Sequence, residues 1–227
     1  MEKERVKLVG FWASPFVHRV KMALKMKGVE YQYIEEDIRN KTPLLFELNP
    51  VYKQVPVFVH NGKVLPESRI ILEYIDETWK NTPLLLPQDP HQKAMARFWA
   101  DFSDNQLGKV ALEALCSRGE RQEKAVISTV EALEKLEQEL KGKVFFGGDS
   151  IGHLDLVIGW ISYFMPLWEE LASIKILDSS KLPAVNEWLN RFLTHPMIKD
   201  DLPKKEKLYA YFDEVSRRIA PLYGSEI

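Results

Sequence analysis

The apolar positions of this 227-residue chain change their spacing partway along it. At the N-terminal end, short apolar runs alternate with stripes at helical spacing. Val6 to Trp12 is a compact run suited to a buried strand. Ser14-Pro15 follows, and proline suits the first turn of a helix because its missing N–H would be unpaired there. Val17, Val20, Ala23 and Leu24 fall on one helical face, which Gly28 closes. Tyr31 to Glu35 alternates as a second strand, and Thr42-Pro43 opens a short helix ending near Asn49-Pro50. Val55 to Val59 reads as a third strand, Asn61-Gly62 as a hairpin turn and Val64-Leu65 as the fourth strand. Ser68 is the expected cap of a helix running to about Trp79. The order β-α-β-α-β-β-α predicts a mixed sheet with a parallel part and an antiparallel hairpin.

The stretch NTPLLLPQDP, residues 81–90, carries three prolines and reads as a connection rather than an element. Beyond it the strand signals fade. Met95, Phe98, Trp99 and Phe102 share one helix face, as do Val126, Val130, Leu133, Leu136 and Leu140. Val185, Trp188, Leu189 and Phe192 form a third stripe. The chain is therefore expected to hold an α/β domain over residues 1–82, a linker over 83–90 and an all-helical domain over 91–227.

Composition narrows the function classes. With 45% hydrophobic and 28% charged residues, the chain can bury its own cores without metal or disulfide staples. A net charge of −2 supplies no broad drive toward nucleic acid or an anionic membrane. Cys116 is the sole cysteine, so no internal disulfide can form and a reducing compartment fits. The N-terminus, MEKERVKLVGFW, is charged where a secretory leader would be apolar, and no stretch reaches the ~18 apolar residues of a membrane span. The cytosol is the expected location. The histidines at 18, 60, 91, 153 and 195 show no paired ligand spacing, so no metal is expected. His153 is expected on a helix surface, and Cys116 is expected to be incidental.

Three features sit where a strand ends or a helix begins. Ser14 puts a hydroxyl at a helix N-terminus, beside unpaired N–H groups and the positive dipole end, where an anion such as a ligand thiolate is favoured. A cis Val55-Pro56 bond would turn the Val55 N–H and C=O outward to pair with a peptide-like ligand; a trans bond would make it an edge-strand proline. At Glu67-Ser68 a hydroxyl and helix N–H groups suit a carboxylate, while the Glu carboxylate can accept from an ammonium. An amino-acid head group carries both charges. Taken singly, Ser14 and Ser68 read equally as ordinary helix caps.

Taken together, Phe11-Trp12-Ala13-Ser14-Pro15-Phe16, Lys41-Thr42-Pro43, Gln54-Val55-Pro56-Val57 and Pro66-Glu67-Ser68 resemble the tau-class glutathione transferases of plants. The similarity covers nearly the whole chain, including Leu84-Leu85-Leu86-Pro87-Gln88-Asp89-Pro90 and Phe146-Gly147-Gly148-Asp149. It implies a thioredoxin-like N-terminal domain that holds glutathione and an all-helical C-terminal domain that shapes the second-substrate pocket. It also implies conjugation of glutathione, a co-substrate rather than a permanent cofactor, to hydrophobic electrophiles, with peroxidase activity from the same thiolate. By this resemblance Ser14 hydrogen-bonds the glutathione sulfur, Lys41 faces the glycine carboxylate, Val55 and Pro56 meet the cysteinyl backbone, and Glu67 with Ser68 take the γ-glutamyl head. Phe16, Leu112, Trp160, Phe164 and Phe212 are the apolar candidates for the electrophile pocket, although such residues are also ordinary core. A homodimer is implied as well.

At Gly152-His153-Leu154-Asp155 the family's capping box lacks its hydroxyl residue, so only the Asp155 half of the reciprocal bond is expected, and Asp155 reads as structural. Serine at position 14 cannot form the mixed disulfide that thiol–disulfide exchange requires. The remaining alternative is a non-catalytic carrier of hydrophobic small molecules.

Overall fold

The computed structural model describes residues 5–80 and 83–223. The residues separate into two compact units, Met1–Leu86 and Pro87–Ile227. In the first unit the elements are β1 (Val6–Gly10), α1 (Pro15–Met26), β2 (Gln32–Glu35), α2 (Pro43–Leu48), β3 (Val57–His60), β4 (Lys63–Pro66) and α3 (Ser68–Thr78). The sheet order is β2-β1-β3-β4. β1 and β2 are parallel, with Gly10 opposite Glu35, whereas β1/β3 and β3/β4 are antiparallel. Asn61 and Gly62 both have positive φ, 49° and 81°, as a two-residue hairpin turn with right-handed strand twist requires.

The helices begin where local chemistry starts them. Ser14 and Thr42 accept from the backbone N–H three residues on, and proline follows each. α1 buries Val17, Val20, Ala23 and Leu24, and α3 buries Ile71, Leu72 and Ile75. Val9, Leu45 and Val57 form a buried cluster with Ile34, Leu48 and Val55 packed against it. Gly10 permits a close approach, since a Cβ there would lie 2.5 Å from Val17 Cγ1.

The stretch expected as linker is partly packed. Leu85 and Leu86 are buried because the Asp76 carboxylate of α3 accepts from both their N–H groups, at 2.8 and 3.0 Å. Lys27 pairs with Asp76 at 2.8 Å and donates to Pro83 O at 2.8 Å, which fastens this segment to α1 as well. Asn81 and Thr82 of the same stretch lie outside the described residues.

The second unit contains α4 (Pro90–Phe102), a π-helical turn (Ser103–Leu107), α5 (Gly108–Cys116), α6 (Gly119–Leu140), α7 (His153–Ile158), α8 (Trp160–Ala172), α9 (Pro183–Thr194) and α10 (Lys205–Ile219). The stripe on α9 is buried throughout. On α6 the buried face runs through Ala125, Thr129, Ala132, Leu133, Leu136 and Leu140, with Val126 and Val130 at its margin. The α4 stripe differs from expectation. Phe98 is exposed, and its ring packs edge-on against Trp99, which packs against Phe102, while Ala100 supplies the buried face. Among the described residues no helix is long and apolar enough to cross a membrane.

Candidate active site

The sheet topology gathers the singled-out segments of the first unit at one end. β1 and the parallel β2 both finish there, at Gly10 and Glu35. The antiparallel β3 starts there, with Val57 opposite Val9, and β4 finishes there, with Pro66 opposite Val57. Ser14 follows β1, Lys41 follows β2, Val55-Pro56 precedes β3, and Glu67-Ser68 follows β4. The N-termini of α1 and α3 are thus at the same end, and their unpaired N–H groups favour negative charge there.

Ser14 is 9% exposed, and its Oγ accepts from Val17 N at 3.3 Å. That bond uses an oxygen lone pair and leaves the hydroxyl proton free to donate. The preceding loop is tightly held: Ser14 N donates to Phe11 O at 3.0 Å, and the Trp12 N–H donates to Glu35 Oε1 at 2.9 Å. Lys41 is exposed, in a loop anchored by the buried Glu36 carboxylate. Glu36 accepts from the N–H and hydroxyl of Thr42, at 2.6 and 2.7 Å, and its own N–H donates to Gly10 O.

The Val55-Pro56 bond is cis. At the start of α3 the structure departs from expectation. Glu67, with φ 69° and ψ 106°, occupies the cap position, and Ser68 is the first residue of the helix. A non-glycine residue in this region of backbone space is an uncommon, costly conformation that concentrates at binding sites. Glu67 is exposed and Ser68 buried. The buried Arg19 of α1 donates to Ser68 Oγ at 3.4 Å.

In the helical unit, Trp160, Phe164 and Phe212 come together. Phe164 and Phe212 meet edge-on at 4.6 Å, and Trp168 contacts all three rings. These three candidates are buried in that cluster, while Leu112 is half-buried on α5. Phe16 belongs to the first unit, where it is 42% exposed beneath the Arg19 guanidinium, 4.9 Å from the ring centre.

Asp155 is completely buried. Its Oδ1 accepts from Phe146 N and Trp188 Nε1, and its Oδ2 accepts from Gly147 N and Gly152 N, all at 2.8–2.9 Å. Burial pushes its carboxyl pKa up, and the four donors pull against that. His153, expected on a surface, is buried because α7 is enclosed along its whole length. Cys116 is buried, and desolvation pushes its thiol up to about 11 against the opposing charge of Arg118.

The family model for the glutathione S-transferase N-terminal domain matches residues 4–77. A probable glutathione S-transferase of Glycine max is 47% identical over 211 residues, which cover 92% of this chain and 93% of that one. The chain belongs to the glutathione S-transferase family. Glutathione S-transferase U1 of Arabidopsis thaliana is 48% identical over 220 residues, covering 96% of this transferase and 97% of the relative. The crystal structure of the tau-class enzyme from mango, Mangifera indica, superposes with a TM-score of 0.87 at 39% identity, covering 91% of this chain and 96% of that one. A rice transferase in complex with glutathione superposes with a TM-score of 0.86 at 32% identity, over 96% and 99% of the two chains. The transferase is accordingly a tau-class enzyme with a thioredoxin-like domain followed by a helical domain.

Several residues of this site escape sequence reasoning. Glu35, Glu36, His18 and Arg19 read only as a strand end, an acidic pair and two polar helix positions. Glu35 and Arg19 meet partners 23 and 49 residues away, and the six-residue reach of His18 to Trp12 and of Glu36 to Thr42 matches no helical or strand repeat. The positive φ of Glu67 is equally silent, since glutamate is not a residue type that marks such a position.

Proposed function

We propose that the enzyme conjugates reduced glutathione to hydrophobic electrophiles with Ser14 as the hydrogen-bond donor to the thiolate. The observation that carries this reading is the Ser14 hydroxyl itself. Its oxygen is occupied by Val17 N while its proton is uncommitted, at the positive end of α1. A free cysteine thiol has a pKa near ~8.5, so only ~3% is thiolate at pH 7. Lowering that by ~2 units requires ~2.7 kcal/mol of preferential anion stabilisation. One hydrogen bond to a charged acceptor, ~1.5–3 kcal/mol, with a helix terminus at ~0.3–1, covers the requirement. Ser14 keeps its own proton throughout and forms no covalent bond.

Around that centre Lys41 pairs with the glycine carboxylate, and among the described residues it has no ion-pair partner to compete. Val55 offers its main-chain groups to the cysteinyl residue from the Pro56 turn. Glu67 accepts from the γ-glutamyl ammonium, and Ser68 with the α3 N-terminus takes the adjacent carboxylate. Of the apolar candidates, Phe16 of the first unit and Leu112 of the second keep exposed surface. Trp160, Phe164 and Phe212 are buried within the helical unit. Hydroperoxide reduction, beginning with the same thiolate, is a companion activity. The enzyme works in the cytosol as a homodimer, for which exposed Phe46, Val51, Tyr52 and Phe98 provide apolar contact surface.

The test is conjugation of a chloro-nitrobenzene electrophile by wild type and Ser14→Ala across pH. Activity that falls and shifts alkaline in the variant supports the proposal. An unchanged pH–rate profile overturns it, and glutathione binding with no conjugation of any electrophile favours a carrier.

A further inference from the structure

The peptide group of Trp12, two residues before Ser14, is held from both sides. Its N–H donates to Glu35 Oε1 at 2.9 Å, and its C=O lies 2.8 Å from His18 Nε2. A carbonyl oxygen only accepts, so Nε2 of His18 carries the proton of that bond. The two partners come from different elements. Glu35 ends β2, where it pairs in register with Gly10. His18 lies on α1 one turn after Ser14, and its backbone N–H donates to Ser14 O at 3.1 Å. Helical side chains lean toward the N-terminus, which directs a first-turn imidazole back over the segment that precedes the helix. His18 is 3% exposed, so its bond to Trp12 is shielded from water.

Ser14 depends on this segment for its position. Its N–H closes a turn onto Phe11 O, so residues 11–14 form one short bridge between β1 and α1. α1 fixes the Ser14 backbone to the helix, and ahead of it a sheet-borne acceptor and a helix-borne donor both hold the Trp12 peptide.

We propose that His18 and Glu35 are positioning residues that clamp the Trp12 peptide and thereby set the aim of the Ser14 hydroxyl at the glutathione sulfur. This rests on the reading of Ser14 as the thiolate donor. Neither side chain touches substrate; both act through Ser14. Slackening the bridge degrades the angle and distance of one charge-assisted hydrogen bond, to which such bonds are sensitive.

The experiment is ultraviolet titration of the thiol of bound glutathione, with kcat and KM, in wild type, His18→Leu, His18→Gln, Glu35→Ala, Ser14→Ala and the double variant Ser14→Ala/His18→Leu. Thermal melts accompany each. His18→Leu and Glu35→Ala are expected to raise the bound-thiol pKa by roughly half a unit to one unit and lower kcat, with KM for glutathione nearly unchanged. His18→Gln, which keeps a donor, restores most of the shift. In the Ser14→Ala background, His18→Leu adds nothing to the pKa. A folded His18→Leu or Glu35→Ala with wild-type thiol pKa, beside a Ser14→Ala that shifts it, overturns the clamp and leaves the role of Ser14 standing. Additive shifts in the double variant also overturn it. If Ser14→Ala itself leaves the pKa in place, the parent reading fails instead. Should His18→Leu prove too unstable to titrate, Glu35→Ala on the exposed side of the clamp decides the matter.

Discussion

Replacing Asp155 by asparagine exchanges one carboxylate oxygen for an NH2 group and strands two hydrogen bonds. Both carboxylate oxygens accept twice: Phe146 N and Trp188 Nε1 on one, Gly147 N and Gly152 N on the other. An amide keeps only one acceptor oxygen, so whichever way it is turned, its NH2 group faces two N–H donors. Each buried donor left unsatisfied costs ~1–3 kcal/mol. Removing the carboxylate also removes the cost of burying a charge, which returns part of that loss. A net destabilisation of about 2–4 kcal/mol follows for Asp155→Asn. Asp155→Ala strands all four donors and opens a cavity, which takes it to ~4–5 kcal/mol, a large share of the ~5–15 kcal/mol stability of a folded domain. The assay is urea unfolding followed by tryptophan fluorescence, because Trp188 donates to this carboxylate and reports its loss directly. Bound-thiol titration on the same proteins should match wild type. An Asp155→Asn protein within ~0.5 kcal/mol of wild type would contradict this, since the two stranded donors would then have found other partners.

Other outcomes follow from the same contacts. With its thiol raised to about 11, Cys116 should resist alkylation of the native protein at about pH 8 and react at the ordinary cysteine rate only after unfolding. Rapid native-state labelling, followed by intact mass, would contradict its burial. A Cβ at position 159 would lie 2.5 Å from Phe192 Cζ and 3.0 Å from Asp155 O, so Gly159→Ala should cost ~1–3 kcal/mol. Phe192→Leu in that background should return part of the loss in thermal melts, whereas additive losses would show that the ring is not what obstructs the methyl.

The strands, the hairpin and the starts of α1 and α2 were legible in the sequence because their signals are local. Alternating apolar positions, Asn-Gly, and Ser-Pro or Thr-Pro pairs all act within a few residues of themselves. The placement of the candidate site residues was legible for the same reason. Ser14, Val55, Pro56, Glu67 and Ser68 stand beside element ends, and the sheet order brings those ends together. What holds the ends in place was not legible. Glu35 reaches Trp12 across 23 residues, and Glu137 accepts from Ala184 N and Val185 N across more than forty, capping α9 from α6. Asp76 draws Leu85 and Leu86 out of the expected linker into the core. Each of these is a carboxylate serving distant backbone donors, and a carboxylate's type and neighbours in sequence do not distinguish that duty from a solvated surface position. The exposure of Phe98 escaped for the complementary reason: an apolar stripe announces a face to be covered without saying what covers it.

In the proposed mechanism, Ser14 lowers the pKa of the bound thiol by donating a hydrogen bond to sulfur. Ultraviolet titration of glutathione bound to wild type and to Ser14→Ala isolates this step, because it observes the thiolate without the later chemistry. The wild-type midpoint is expected about 2 units below the free thiol, returning toward ~8.5 in the variant, with glutathione affinity changed only a few-fold. A variant midpoint equal to that of wild type would contradict it.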